Sequence, residues 1–402
     1  MEAYLLDWLG LLGRWLHLVT GIAWIGASFY FVWLDDHLQA PSEPAQRDKG
    51  VSGELWAVHG GGFYQAQKFR VAPVPLPATL HWFKWEAYWT WLSGFFLLCL
   101  LYYAGAGSYL IDRNVADIGA ATAVAIGLAT LIVGWIVYDR LCASPLGNHE
   151  RALALVLTLM LVGAACGLCH VFSGRGAYMH FGALLGTIMV ANVFFVIIPG
   201  QRELVTARQQ GREPDPRHGI RGKQRSVHNT YFTLPVLFVM ISNHYAMTYG
   251  HRYNWVILVA ICLAGASIRR YFVARHKGRT SVLPIVIGTL LLAGVAAAIA
   301  PSRARSGAAL AGAALAGAPS FARVQAIVAQ RCVGCHASVP TQPGFNVAPK
   351  GVMFDTADQI KAQAAQIHQQ TSTRVMPLAN LTGMTDEERA TIADWFESGA
   401  PR

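Results

Sequence analysis

Charged side chains are scarce in this chain. Only 13% of its 402 residues are Asp, Glu, Lys or Arg, whereas 54% are hydrophobic, and soluble domains carry roughly 25% charged residues. This composition excludes an ordinary soluble protein. Lys plus Arg exceed Asp plus Glu by 32 to 22, but the basic residues do not form a separate domain of the kind that binds nucleic acid. We therefore expect the lipid bilayer, and no nucleic acid, among the partners.

The apolar residues are gathered in long runs. A helix needs roughly 20 residues to cross the hydrocarbon core of a bilayer, and suitable stretches occur near residues 8–33, 83–104, 115–138, 152–173, 179–199, 227–249, 254–275 and 281–300. The sequence therefore predicts an all-α fold with an eight-helix transmembrane bundle over residues 1–300. No basic residue precedes Arg14 and no small-residue cleavage site follows, so we expect the first span to be an uncleaved anchor.

Basic residues are distributed unevenly between the two sides of this bundle. The segments 47–70, 140–151, 202–225 and 269–279 fall on one side and contain 18 Lys and Arg, whereas the opposite side has three, namely Arg113, Arg175 and Arg252. Basic loops stay in the cytoplasm. We therefore expect a multi-pass protein of the bacterial inner (plasma) membrane, with its N-terminus in the periplasm.

A C-x-x-C-H motif near the C-terminus has the spacing that attaches a c-type haem. Cys332 and Cys335 would form the two thioethers, and His336 would be the proximal iron ligand. Met376, which precedes a proline, is the expected sixth ligand, because a thioether opposite a histidine is the ligand set of cytochrome c. Met384 and Met353 are the alternatives. Bacteria attach this haem on the periplasmic side, which agrees with the distribution of basic residues.

The motif indicates a second domain. We predict a small class I cytochrome c domain over residues 320–402, joined to the bundle by an Ala/Gly-rich linker over residues 301–319. A helical stretch at 321–330 leads into the motif. Thr385 and Glu388 form a capping-box pattern, so the last helix should begin there. The domain should hold one covalently bound haem c.

Four histidines fall within the expected outer half of the spans, namely His17, His170, His180 and His244. Ionisable side chains inside a bilayer are costly and are therefore candidates for function. Two of the four could bind a b-type haem, or the four could line a pocket on the outer side. The alternative is helix packing with hydrogen-bonded histidines, because glycines flank His17 at helical spacing.

A second polar group lies near the expected inner face. It comprises His59, His81, Lys84, Glu86 and His228, and three glycines follow His59. Adjacent glycines allow a ligand to approach the backbone closely, and the polar side chains among tryptophans could bind and deprotonate a planar polar molecule. The alternative is an interfacial aromatic belt with snorkelling charges.

The chain resembles the membrane urate oxidases of bacteria over essentially its whole length, and several membrane segments carry this resemblance. The resemblance rests on residues 14–30, 80–91, 180–201 and 226–250, together with the C-terminal C-x-x-C-H motif. It implies hydroxylation of urate to 5-hydroxyisourate in purine catabolism, with electrons leaving through the haem to an external acceptor such as a periplasmic cytochrome or a terminal oxidase.

The resemblance also suggests roles for the inner polar group. Lys84 or His81 would stabilise the urate anion, and Glu86, His59 or His228 would accept protons. A site there would be separated from the haem by much of a ~30 Å core. Either a b-type haem bridges this gap, or the substrate binds near the outer side. The competing functions are a quinol-oxidising electron-transfer subunit and a transporter.

Overall fold

The computed structural model describes residues 2–70, 72–73, 75–276, 278, 281–300, 319–342, 345 and 347–401. The chain is mostly helical, with one β-hairpin. The helices up to residue 300 are α1 (Glu2–His37), α2 (Pro44–Asp48), α3 (Trp85–Leu97), α4 (Ala106–Tyr109), α5 (Ala120–Ala143), α6 (Glu150–Val171), α7 (Gly174–Ala191), α8 (Ile198–Gln209), α9 (Pro216–Ser242), α10 (Ala246–Tyr249), α11 (Asn254–His276) and α12 (Leu283–Ala298). The predicted linker, 301–319, lies outside the described residues except for Pro319.

Five helices of the described residues are long and apolar enough to cross a membrane, namely Tyr4–His37, Ala120–Ala143, Glu150–Val171, Gly174–Gln209 and Asn254–His276. The fourth is continuous because a π-helical segment, Asn192–Ile197, joins α7 to α8. The other three predicted spans correspond to α3 with its π-helical extension Leu98–Tyr103, to α9, and to the shorter α12. Membrane-type helices are thus present, and the count of eight spans stays a prediction.

Helix α7 lies at the centre of the bundle. It packs against α5, α6 and α9. In the most apolar stretch of Gly174–Gln209, 56% of the residues are buried, compared with 6% in that of α1. Its core face is formed by large apolar side chains, including Tyr178, Phe181, Leu184, Leu185 and Ile188. A helix buried on most sides must be apolar all round, so its single buried histidine, His180, stands out.

The segment between α2 and α3 forms a β-hairpin that the all-α prediction missed. Strands β1 (Val51–His59) and β2 (Gly62–Phe69) pair antiparallel, with His59 opposite Gly62. Gly60 and Gly61 form the two-residue turn with φ of +58° and +80°, the left-handed conformations that a type I′ turn requires. The three glycines therefore close a hairpin.

The C-terminal part forms a separate small helical domain. Its helices are α13 (Phe321–Arg331), α14 (Ala357–Ala362), α15 (Ala364–Ser372) and α16 (Asp386–Glu397), and a 3-10 turn spans Leu378–Asn380. Phe321 of α13 packs on Trp395 of α16 at 5.8 Å between ring centroids. The predicted capping box is confirmed, since Thr385 Oγ1 accepts from the Glu388 amide and Glu388 caps the Thr385 amide.

The C-terminal domain contacts one end of the bundle. The Met376 loop, which we define as residues 373–380, packs on α4 and on the segment after α10. Gly250 faces the carbonyl oxygen of Thr373 so closely that a Cβ atom there would collide with it. We call this end of the bundle the docking end. The opposite end, which carries the hairpin and the four basic segments, is called the basic end.

Candidate functional site

The C-x-x-C-H residues carry the groups that a c-type haem would use. Cys332 and Cys335 are both free thiols at the end of α13. The Nδ1 atom of His336 lies 3.0 Å from the carbonyl oxygen of Val352; because a carbonyl only accepts, Nδ1 must be the protonated nitrogen. The Nε2 lone pair is then available to an iron atom, and the hydrogen bond fixes the ring orientation. These residues fit the group, and the haem itself stays a prediction.

Two arginines, Arg331 and Arg389, connect the segments around this motif to one another. Arg331 binds Glu388 through two nitrogens, with the shortest contact at 3.0 Å, and so ties the motif to α16. Arg389 is buried and donates to the carbonyl oxygens of Thr371, at 2.7 Å, and of Met376, at 2.8 Å. The Met376 amide in turn donates to the carbonyl of Gln370.

The main chain of Met376 is thus fixed on both sides. Met384, by contrast, is buried in the apolar core of the domain, where its thioether serves packing. Met353 is half-buried beside Phe354. The assignment of Met376 as the sixth ligand stays a prediction, with Met384 and Met353 as its alternatives.

A cavity of ≈ 300 Å³ lies between the Met376 loop and the docking end of the bundle. Its polar lining includes Asp112, His170, Arg175, His251, Arg252 and Arg374. Its aromatic lining is Tyr109, Tyr249 and Trp255. Arg374, Val375 and Leu378 come from the C-terminal domain. The cavity therefore joins the bundle to the loop that carries the expected haem ligand.

Arg175 begins the central helix and is held in a fixed orientation. Its Nε donates to Tyr102 Oη at 3.2 Å and to Asn243 Oδ1 at 3.0 Å, and its guanidinium lies 5.3 Å from the ring centre of Tyr109. The helix starts here because Ser173 caps it by accepting from the Gly176 amide. The two hydrogen bonds of Nε leave the terminal nitrogens of the guanidinium for a ligand.

Asp112 is the carboxylate of the cavity and lies in the loop after α4. Burial raises the pKa of Asp112 above its ordinary value, although a hydrogen bond from the Asn114 amide and the charges of Arg389 and Arg374 oppose this. Arg374 itself pairs with Asp386 at 2.8 Å and is half-exposed. A carboxylate with a raised pKa is a stronger base than an ordinary one, so Asp112 is the candidate proton acceptor of the cavity.

His251 lies in the loop before α11. Its Nδ1 accepts a hydrogen bond from the amide of Tyr253 at 3.1 Å. Burial, assisted by the charge of Arg252, lowers the pKa of His251, so the imidazole is neutral near pH 7. Because Nδ1 is the acceptor, the proton of the neutral ring is on Nε2, which is then a donor.

The four outer histidines of the sequence prediction have different surroundings. His170 lines the cavity, with Nδ1 bonded to the carbonyl of Cys166 at 2.7 Å. His180 is fully buried one turn into α7, where Nε2 lies 3.3 Å from Tyr103 Oη. His244 is exposed at the end of α9.

His17 lies between α1 and α3. Its Nδ1 contacts the carbonyl of Thr90 at 2.9 Å and Ser93 Oγ at 3.1 Å, and Gly13 lies against Leu97. This arrangement supports the interpretation of a hydrogen-bonded histidine in a helix interface. A b-type haem on two of the four histidines stays a prediction.

The predicted inner group is spread over several places at the basic end. His59 is exposed at the hairpin turn, and His81 is exposed and packs edge-on against Phe83. Lys84 lies over the ring of Trp85, an arrangement expected in an interfacial aromatic belt. Glu86 is half-exposed in the first turn of α3. All four side chains are exposed or half-exposed, and a site formed by them stays a prediction.

His228, the fifth member, belongs to a buried polar network. Its Nδ1 lies 2.7 Å from Tyr138 Oη, to which Asn192 also donates at 3.0 Å. Asn192 donates in turn to Asn229 Oδ1 at 2.8 Å. Arg225, which is buried, reaches this network and pairs with Asp139 at 2.7 Å. These groups satisfy one another, as buried polar groups must.

The fold and the site define a helical bundle of membrane type with a cavity bordered by a C-x-x-C-H domain. The family model described as Urate oxidase N-terminal matches residues 3–300, and the chain therefore belongs to this family. It is accordingly an oxidoreductase related to urate oxidases. No curated protein and no solved structure matches the chain.

Sequence reasoning missed most of the cavity. Asp112, His251 and Arg374 were not singled out as site residues. A signal did exist for two others, because Arg175 and Arg252 are two of the three basic residues on the side expected to lack them. A charge that departs from the positive-inside bias needs a local reason, and here the cavity supplies it.

Proposed function

We propose that this chain oxidises urate and that the electrons leave through a c-type haem held by Cys332, Cys335, His336 and Met376. Family membership supports urate as the substrate. The observation that carries the proposal is the contact between the Met376 loop and the docking end, because it gives the bundle a short route to the expected haem.

The reaction balances without oxygen as the direct oxidant. The urate monoanion and one water give neutral 5-hydroxyisourate, one proton and two electrons. When bound, the haem iron would supply a one-electron acceptor whose reduction potential is raised by a His and Met ligand pair. Each chain therefore takes one electron at a time. The second electron goes either to the same haem after an external acceptor, such as a periplasmic cytochrome or a terminal oxidase, has reoxidised it, or, where no such acceptor is present, to the haem of a second protein molecule.

The residues of this chain have two tasks in the proposal. His336 and Arg389 fix the ligand side of the haem, the first through Val352 and the second through the carbonyl of Met376. The bundle binds the substrate and keeps it near the Met376 loop. A substrate at the docking end needs no second haem to carry electrons across the membrane core.

The test is an anaerobic titration of the purified full-length protein. We expect urate to reduce the haem c absorbance with one urate consumed per two haems, and 5-hydroxyisourate to appear. Haem that stays ferric with urate but is reduced by a short-chain quinol would overturn the proposal in favour of a quinol-oxidising subunit. A pyridine haemochrome spectrum of the same sample distinguishes haem c alone from haem c with haem b.

A further inference from the structure

The docking-end cavity has the size and lining of a site for a small planar anion. Its volume of ≈ 300 Å³ is at the lower end of the range for small-molecule sites, about 300–1,000 Å³. A free purine is flat and needs no more. We propose that the urate anion binds in this cavity, between Arg175 of the bundle and Arg374 of the C-terminal domain. This inference rests on the proposed function.

The charge of the cavity favours an anion. Arg175, Arg252 and Arg374 line it together with a single carboxylate, Asp112. A low-dielectric cleft with an excess of one charge concentrates ligands of the opposite charge. Among the described residues no lysine lines the cavity, and arginine is the residue whose planar fork suits bidentate recognition of a delocalised anion.

Arg175 is already positioned for this task. Tyr102 and Asn243 hold its Nε, and Tyr109 covers one face of the guanidinium. Binding therefore does not have to order a long flexible side chain, which otherwise costs about 0.5–1.5 kcal/mol. The terminal nitrogens then meet the carbonyl oxygens and ring nitrogens over which urate spreads its charge.

Two further groups complement the edges of a purine. The Nε2–H of His251 is a donor for a urate carbonyl oxygen, since Nδ1 is occupied by the Tyr253 amide. Asp112 is an acceptor for a ring N–H. Tyr249 and Trp255 provide aromatic faces at which the flat ring system can stack.

The same groups account for the products of the step. Water adds to C5 of the bound anion as two electrons leave, one at a time, on the side of the Met376 loop. The carboxylate of Asp112 takes the one proton that the balance releases. The site is composite, because Arg374, Val375 and Leu378 form the wall that separates the substrate from the expected haem.

The experiment measures urate binding without turnover. The haem of the full-length protein is first reduced chemically under nitrogen, and radiolabelled urate is then titrated by equilibrium dialysis. We expect R175Q to raise the Kd by about 10- to 100-fold, the loss of a charged hydrogen-bonding partner. R374Q should raise it by about twofold to fivefold, because Arg374 is half-exposed. R175K should fall between wild type and R175Q.

Arg113 provides the matched control. It lies in the same loop as Asp112, is exposed, and does not line the cavity; we expect R113Q to bind urate as wild type does. Thermal unfolding of each variant shows whether it is folded, and R374Q decides the matter if R175Q is not. Unchanged binding in R374Q and R175Q, while urate still reduces the haem of the wild type, would overturn the inference and leave the proposed function intact. A wild type that binds urate but is not reduced by it would overturn the function alone.

Discussion

The two ends of the helical bundle use charge in opposite ways. At the basic end, 18 Lys and Arg are spread over four segments, and many of them are exposed. At the docking end there are three, of which Arg175 and Arg252 line one cavity together with Arg374 of the C-terminal domain. We expect the abundant charge to serve orientation in the membrane, whereas most of the scarce charge lines one cavity. The exceptions to a topological bias are thus more informative about function than the bias itself.

The buried ion pair at the basic end should be the most sensitive point of the bundle. Arg225 and Asp139 lie 2.7 Å apart, with the arginine almost fully buried, so R225Q leaves a carboxylate and an amide network without their partner. We expect a loss of about 3–5 kcal/mol in the free energy of unfolding, measured by thermal unfolding in detergent. The exposed neighbour variant R140Q should unfold as wild type does. Equal stability of both variants would show that the network at this end is dispensable.

Asp112 should govern the pH dependence at the docking end. Burial raises its pKa, so the rate of urate-driven haem reduction should fall as the pH drops towards that pKa and the carboxylate is protonated. D112N should lower the rate at neutral pH by about 100-fold, the low end for a lost general base, and should remove this pH dependence. The charged or titratable groups that share the cavity and its walls are His170, Arg175, His251, Arg252, Arg374 and Arg389.

The control for this effect is D117N, which changes an exposed carboxylate in the same loop. Its pH profile should match that of the wild type. If the rate of the D112N variant still falls at the same pH, another group is responsible for the titration. The docking end would then differ from the basic end in its charge but not through a proton-accepting carboxylate.

Substitutions of histidine at the basic end should have small effects on the reaction. His59 and His81 are exposed and lie apart from the cavity, so H59A and H81A should change the second-order rate of haem reduction by urate less than about twofold. R175Q should lower the same rate by about 10- to 100-fold. A rate loss above tenfold in H81A, with R175Q unaffected, would reverse the comparison and move the substrate to the basic end.

The smallest expected effect on stability concerns the C-terminal domain beside the docking end. Burial opposes ionisation of Glu388, but hydrogen bonds from Arg331 and from the Thr385 amide outweigh it and lower its pKa. A carboxylate with a lowered pKa stabilises the fold above its unfolded-state pKa, and this contribution is lost as the pH falls through the folded-state pKa. E388Q should therefore reduce the stability by about 1 kcal/mol at pH 7, followed by thermal unfolding of the full chain.

The difference between E388Q and wild type should disappear in acid. The exposed neighbour variant E387Q should behave as wild type at both pH values. A destabilisation of E388Q that persisted unchanged at low pH would mean that packing, and not the ionised pair with Arg331, holds α16 to the motif.

Local patterns predicted the features that depend on neighbouring residues. The capping box at Thr385 and the long apolar helices follow from spacing and composition, and the structure confirms both. The hairpin has a local signal as well, the adjacent Gly60 and Gly61 between two short segments, because a two-residue turn of this kind favours glycine. The prediction of a close ligand approach at the three glycines assumes a loop between helices, whereas Gly60 and Gly61 form the turn of a hairpin.

The cavity could not be predicted in the same way. Its walls come from four parts of the chain, namely 108–115, 169–175, 249–255 and 374–378, and no spacing rule relates them. They meet because helices joined at the docking end bring their loops together and because the C-terminal domain folds back onto them. The inner polar group stays a prediction, and its members have different surroundings, since His59 is exposed at the hairpin turn whereas His228 belongs to a buried network.

Gly250, which has no side chain, allows the close approach of the two domains. Gly250 faces the Thr373 carbonyl where a Cβ atom would not fit, so Ala, Val and Leu at this position would act as spacers of increasing thickness. Electron tunnelling declines steeply with separation. Because Gly250 also lines the cavity, urate binding has to be measured in each variant beside the transfer rate. Such a series would relate the rate of electron transfer to the distance between the two domains.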